Sequence, residues 1–223
     1  MRRLASAPSS VSAVVFAVFV VVVATMTAAE ATGVIRVGMV AASPRRIASG
    51  QLWLLITSGL IVQKPFALSL LSFAALGALT LAVCGCRVLA WAALLGHVTS
   101  TLIVYGALTL VRVAEPGPFA GLWSAPDYGV SAIAAAWLGA VACVVWRRRA
   151  PTLAGKAPIV ISCAAIAAFG WMLRGHLNVL DSEHGFAFMI GALLAWRQVA
   201  ANFAAPKTLL RHRGQLRSVF RSV

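Results

Sequence analysis

Charge is what this 223-residue sequence has least of: 11% of its residues are Asp, Glu, Lys or Arg, where a soluble globular chain carries about 25%. An ordinary soluble domain is excluded. Acids are the scarcest class, five in all: Glu30, Glu115, Asp127, Asp181 and Glu183. Cysteine is limited to Cys84, Cys86, Cys143 and Cys163, none at the spacing of a zinc site or of a secreted disulfide framework, so these read as small packing residues. No metal and no other cofactor is expected. Gly (18) and Pro (9) are too few for a low-complexity disordered chain. What remains is apolar, 61% of residues with a mean hydropathy of +0.92, which makes the chain a polytopic membrane protein.

A spanning helix needs about 20 mostly apolar residues, because its backbone must be satisfied across about 30 Å of hydrocarbon. Six stretches approach that length: residues 11–29, 66–86, 88–113, 128–146, 157–175 and 182–199. Residues 50–63 are too short and carry Gln51 and Gln63 at their ends, so they are expected as a re-entrant or interfacial helix. The expected layout is a cytoplasmic N-terminus (1–10), a six-helix membrane domain (11–200) and a basic cytoplasmic tail (201–223).

The net charge of +14 would suit nucleic acid, but its distribution does not. With six crossings and the N-terminus inside, thirteen of the nineteen Lys and Arg fall inside: Arg2, Arg3, Arg87, Arg147, Arg148, Arg149, Lys156, Arg197 and the five cations of the tail. All five acids fall outside. This is the positive-inside pattern, and it makes the lipid bilayer the expected partner and excludes nucleic acid. A crossing by residues 50–63 would invert every later loop. The first 29 residues also read as a signal peptide, with Met1-Arg2-Arg3 before the apolar run and Thr27-Ala28-Ala29 after it; cleavage there would leave five spans. Sixteen Arg against three Lys suggests a GC-rich bacterial genome, hence a bacterial inner (plasma) membrane.

Polar residues at membrane depth are expensive and are functional candidates by default. Ser131 opens the fourth span and His184 opens the sixth, and both helices run inward from the outer face. Small residues follow at helical spacing, Ala135 and Gly139 after Ser131, Ala187 and Gly191 after His184. Such faces let membrane helices approach closely. A bonded Ser131 and His184 would form a nucleophile and its general base. In the third span His97 is expected to pair with Thr99, Ser100 or Thr101, because it lies 15 residues, about 22 Å of helix, from Arg112 at the outer end.

These motifs resemble the rhomboid family of intramembrane serine proteases. Gly129-Val130-Ser131-Ala132 with Gly139 is similar to its Gly-x-Ser-Gly and the glycine eight residues on. His184 through Ala187 to Gly191 is similar to its His-x-x-Gly-x-x-x-Gly. Gly50-Gln51-Leu52-Trp53 with Thr57-Ser58 looks like its segment before the second helix. The resemblance covers roughly residues 10–200 and implies a six-helix bundle in which Ser131 and His184 cleave transmembrane segments of other membrane proteins. The family's second-helix His-x-x-x-Asn has no counterpart in residues 66–72; Gly129, Ser69 and Ser72 are the residues left to support an oxyanion.

Three functions follow as expectations. The first is the rhomboid-like serine protease. The second is an inactive rhomboid-like protein that binds transmembrane clients, suggested by the missing His-x-x-x-Asn. The third, a small-solute transporter, fits least, because only His97 among the ionisable residues is central and no internal repeat is present.

Overall fold

The computed structural model describes residues 9–114, 120–149 and 181–204. They are helical, with no strand among them beyond one isolated antiparallel bridge between Ala42 and Asp127. In chain order the helices are α1 (Ser10–Ala31), α2 (Val37–Val40), α3 (Pro44–Ala48), α4 (Leu54–Thr57), α5 (Phe66–Cys84), α6 (Cys86–Ala114), α7 (Ala120–Ser124), α8 (Ser131–Arg149) and α9 (Asp181–Ala204), with a 3-10 turn at Ser58–Leu60. Three of them, α1, α5 and α6, are long and apolar enough to cross a membrane. The expected spans at 128–146 and 182–199 are occupied by α8 and α9, and that at 157–175 lies outside the described residues.

The long helices form where apolar residues run unbroken and stop where the backbone must turn. The Ser9 side chain caps α1 by accepting from Ser12 N at 3.3 Å. Between α5 and α6 a single residue, Gly85, reverses the chain with φ of 86°, a left-handed conformation that a Cβ would oppose. Residues 50–63 do not form one helix. They hold the four residues of α4, the 3-10 turn, and then extended chain through Ile61. Arg46 ties this region together: its guanidinium donates twice to Gln51 Oε1, at 2.8 and 3.0 Å, and once to the Ala41 carbonyl at 2.8 Å.

Packing follows the small residues. A Cβ at Gly139 would strike the Phe188 carbonyl, one at Gly191 the Ala136 carbonyl, and one at Gly96 the Ala136 Cβ. Gly139 and Gly191 thus lie where α8 crosses α9, and Ala136 and Ala187 are fully buried where α6 joins them. Ala135 is half-buried beside this junction. Close backbone approach of this kind is how membrane helices associate, since lipid supplies no hydrophobic drive between them. Trp137 of α8 fills the space toward α1 and α5. It stacks on Phe73 with centroids 4.7 Å apart, meets Phe16 and Phe19 edge-on, and donates from Nε1 to the Leu89 carbonyl at 2.9 Å. Val11, Val14, Val18 and Val21 of α1 remain exposed, as a lipid-facing helix requires.

Candidate active site

The 3-10 turn is threaded into the bundle by backbone bonds that leave its side chains little freedom. Gly129 N donates to the Ser58 carbonyl at 2.8 Å, Val130 N to the Ile61 carbonyl at 3.1 Å, and Gln63 Nε2 to the Tyr128 carbonyl at 2.8 Å. From the other side, Val62 N donates to Thr27 Oγ1 of α1 at 3.0 Å. Gly129 has φ of 128°, which a side-chain-bearing residue rarely adopts. Its place is therefore structural: it holds the Ser58 carbonyl.

Ser58 is fully buried, and its Oγ lies 3.2 Å from His97 Nε2 of α6. On the far side of the imidazole, Nδ1 lies 3.6 Å from Glu183 Oε1 of α9. Nδ1 is buried and has no hydrogen-bond partner among the described residues. Glu183 is itself buried, and its Oε1 accepts from Thr101 Oγ1 at 2.6 Å. The order of atoms is hydroxyl, Nε2, Nδ1, carboxylate. When the neutral ring carries its proton on Nδ1, Nε2 accepts from Ser58 and the N–H faces Glu183. That is the arrangement of a serine hydrolase triad, with the last link about 0.5 Å longer than a hydrogen bond.

His97 is thus paired differently from expectation. Ser100 donates its hydroxyl to backbone carbonyls one turn back, including that of His97, and the single Thr101 proton is shared between the His97 carbonyl at 2.8 Å and Glu183, while the His97 ring meets Ser58 and Glu183. The distance from Arg112 does not fix the level of His97 relative to α9. Here α9 meets α6 at Thr101, so the start of α9 and His97 share one level.

Ser131, at the first position of α8, is exposed, and no hydrogen bond joins it to His184 among the described residues. His184 is half-buried and has partners of its own. Consecutive helical residues point about 100° apart; in α9 it is Glu183, not His184, that turns toward α6. On α5 Ser69 is half-buried and Ser72 exposed, and neither bonds to Ser131 or His184 among the described residues.

A second carboxylate completes the cluster. Asp127, in the loop before α8, accepts from Tyr105 Oη at 3.0 Å. Burial, reinforced by the nearby Glu183 carboxylate, pushes the Asp127 carboxyl up to about 7, against the opposing pull of the Tyr105 bond and of His97. Beside His97, between α1, α4 and α6, is a cavity of about 280 Å³ lined by Phe16, Phe19, Ile56, Leu60 and Trp137. His97 is the one ionisable residue of its lining. Gly59 makes this proximity possible, since a Cβ there would fall 2.8 Å from His97 Cδ2 and 2.9 Å from Nε2.

No group of three or more His, Cys, Asp or Glu able to hold a metal ion occurs among the described residues. Comparison with protein-family models, with curated proteins and with solved structures finds no match for this chain.

Proposed function

We propose that this protein is a membrane-embedded serine hydrolase in which Ser58 is the nucleophile, His97 the general base and Glu183 the carboxylate that orients it. The supporting observation is the order Ser58 Oγ, His97 Nε2, His97 Nδ1, Glu183 Oε1 across three separate elements. As Ser58 Oγ attacks a carbonyl, its proton passes to Nε2. The imidazolium is stabilised by Glu183, and the proton then goes to the departing amine or alcohol. Water hydrolyses the acyl-Ser58 by the same route in reverse. The cavity beside His97 suits an apolar segment of the substrate. Cleavage of transmembrane segments, in a rhomboid-like six-crossing layout of a bacterial inner membrane with both ends on the arginine-rich side, is the form of this activity that the sequence favours. Ser131 and His184 then flank the site without carrying the chemistry.

A second reading is a client-binding protein that holds transmembrane segments without cutting them. It is favoured by the burial of Ser58, which is 1% exposed, so that the 3-10 turn must shift before a carbonyl reaches it. Fluorophosphonate labelling and cleavage of a reporter transmembrane segment in proteoliposomes separate the two. Under the hydrolase reading Ser58→Ala, His97→Gln and Glu183→Gln lose both signals while Ser131→Ala and His184→Ala keep them. Absence of labelling and cleavage in the wild type supports the binding reading, and loss in Ser131→Ala alone returns the chemistry to Ser131.

A further inference from the structure

At the end of the bundle opposite the Ser58 site, the first turns of α6 and the second half of α9 enclose a cavity of about 570 Å³, lined by Arg87, Trp91, Leu95, Leu194, Arg197 and Gln198. Gln198 Nε2 donates to the Cys84 carbonyl at 3.2 Å, fixing α9 against the turn that starts α6. The lining is two-toned, joining two arginines to two leucines. Trp91, 46% exposed, stands beside them, an aromatic placement typical of a membrane boundary.

Among the described residues no side-chain carboxylate lies beside the two arginines. Residues 128–180 and 184–223 contain no Asp or Glu. Asp181 and Glu183 lie sixteen and fourteen residues before Arg197 on the same helix, about 24 and 21 Å away along its axis. Asp127 is bonded to Tyr105, about 27 Å along α6 from Arg87. Glu30 stands three residues past Thr27, which is bonded to the Ser58 segment. Two cations facing one cavity repel each other, and an anion held between them removes that repulsion.

We propose that this cavity binds the phosphate of an anionic phospholipid headgroup, with Arg87 and Arg197 as its ligands and Leu95 and Leu194 against the first methylenes of the acyl chains. Guanidinium forks match phosphate oxygens bidentately, and basic pockets between membrane helices are suited to such headgroups. The assignment is independent of the hydrolase reading.

The test is lipid retention by the full-length chain, moved from detergent into mixed micelles of dioleoylphosphatidylglycerol and dioleoylphosphatidylcholine and weighed by native mass spectrometry. The wild type is expected to retain phosphatidylglycerol in preference. Arg87→Gln and Arg197→Gln each lower that preference about 5-fold and together about 30-fold, so the single variants keep the test intact if the double variant fails to fold. Arg36→Gln with Arg45→Gln removes the same charge from exposed positions elsewhere and leaves the preference unchanged. Equal retention of the two lipids by the wild type overturns the proposal, as does an equal loss in the Arg36/Arg45 variant. Displacement of phosphatidylglycerol by millimolar inorganic phosphate would make the ligand a soluble anion and overturn the lipid assignment.

Discussion

Gly59→Ala is the sharpest perturbation of the site, because it adds one methyl group and touches neither the serine, the histidine nor the carboxylate. The new Cβ would stand 2.8 Å from His97 Cδ2 and 2.9 Å from Nε2. Ordinary contact begins near 3.4 Å, so about half an ångström must open between Gly59 and the ring. Nε2 is the atom that Ser58 Oγ meets at 3.2 Å; displacing it by that amount takes the pair beyond hydrogen-bond range. Loss of a positioned general base typically lowers a rate by about 10²–10⁴, while overpacking costs about 1–3 kcal/mol of stability. The assay is the rate of fluorophosphonate labelling of Ser58 in detergent, with thermal unfolding measured on the same sample. Gly106→Ala serves as the control, since a Cβ there meets nothing within 4 Å. The expected result is slow labelling in a protein that still melts cooperatively. Wild-type labelling in a folded Gly59→Ala protein would refute the idea that His97 activates Ser58.

Thr101→Val removes the donor to the buried Glu183 carboxylate and is expected to lower stability by about 1–3 kcal/mol, whereas Thr101→Ser, which keeps the hydroxyl, is near neutral; thermal unfolding distinguishes them. Asp127, raised to about 7 from an ordinary value of 3.8, binds its proton more tightly folded than unfolded. Its contribution is therefore fully present below about pH 4 and is lost as pH rises through about 7, and Asp127→Asn should flatten this part of the unfolding-midpoint profile. At Gly191→Ala the added methyl meets the backbone carbonyl of Ala136, which cannot rotate aside, so α8 and α9 must separate. A loss exceeding the usual 1–3 kcal/mol of overpacking is expected, read as protease sensitivity in detergent, with Gly185→Ala, which meets nothing within 4 Å, unaffected.

The long helices were legible because their signal is local. Runs such as 11–29 and 66–86 satisfy the hydrocarbon requirement on their own, and α1 and α5 appear within two residues of those limits. The approach of α8 and α9 was legible too, since glycine at membrane depth has one common use and Gly139 and Gly191 lie at the crossing. The site was not, because it joins residues 39 and 86 positions apart, Ser58 to His97 and His97 to Glu183. The motif similarity falls on Ser131 and His184, and the separation of about 22 Å of helix between His97 and Arg112 favoured Thr99, Ser100 or Thr101 as partners of His97. One sequence signal bears on the proposed site. His97 is the only ionisable residue in the middle of a span, and a group buried there needs a partner. Glu183, in the first turn of an apolar helix, was available to provide one.

The charge distribution ties the two ends of the molecule together. Glu183 sits in the first turn of α9, where the helix dipole favours a negative charge, and Arg197 sits near the other end of the same helix. On α6 the sequence runs the other way, from Arg87 to Tyr105, which bonds Asp127. Arg87 and Arg197 therefore lie more than about 20 Å along their helices from the levels at which Asp127 and Glu183 are bonded. Burying the Glu183 carboxylate costs free energy that the Thr101 bond offsets only while both groups are present. A chain that could reach the same fold with leucine at position 183 would avoid that exposure to loss. What leucine cannot do is face Nδ1 of His97 with a charge, which is the role proposed for the buried Glu183.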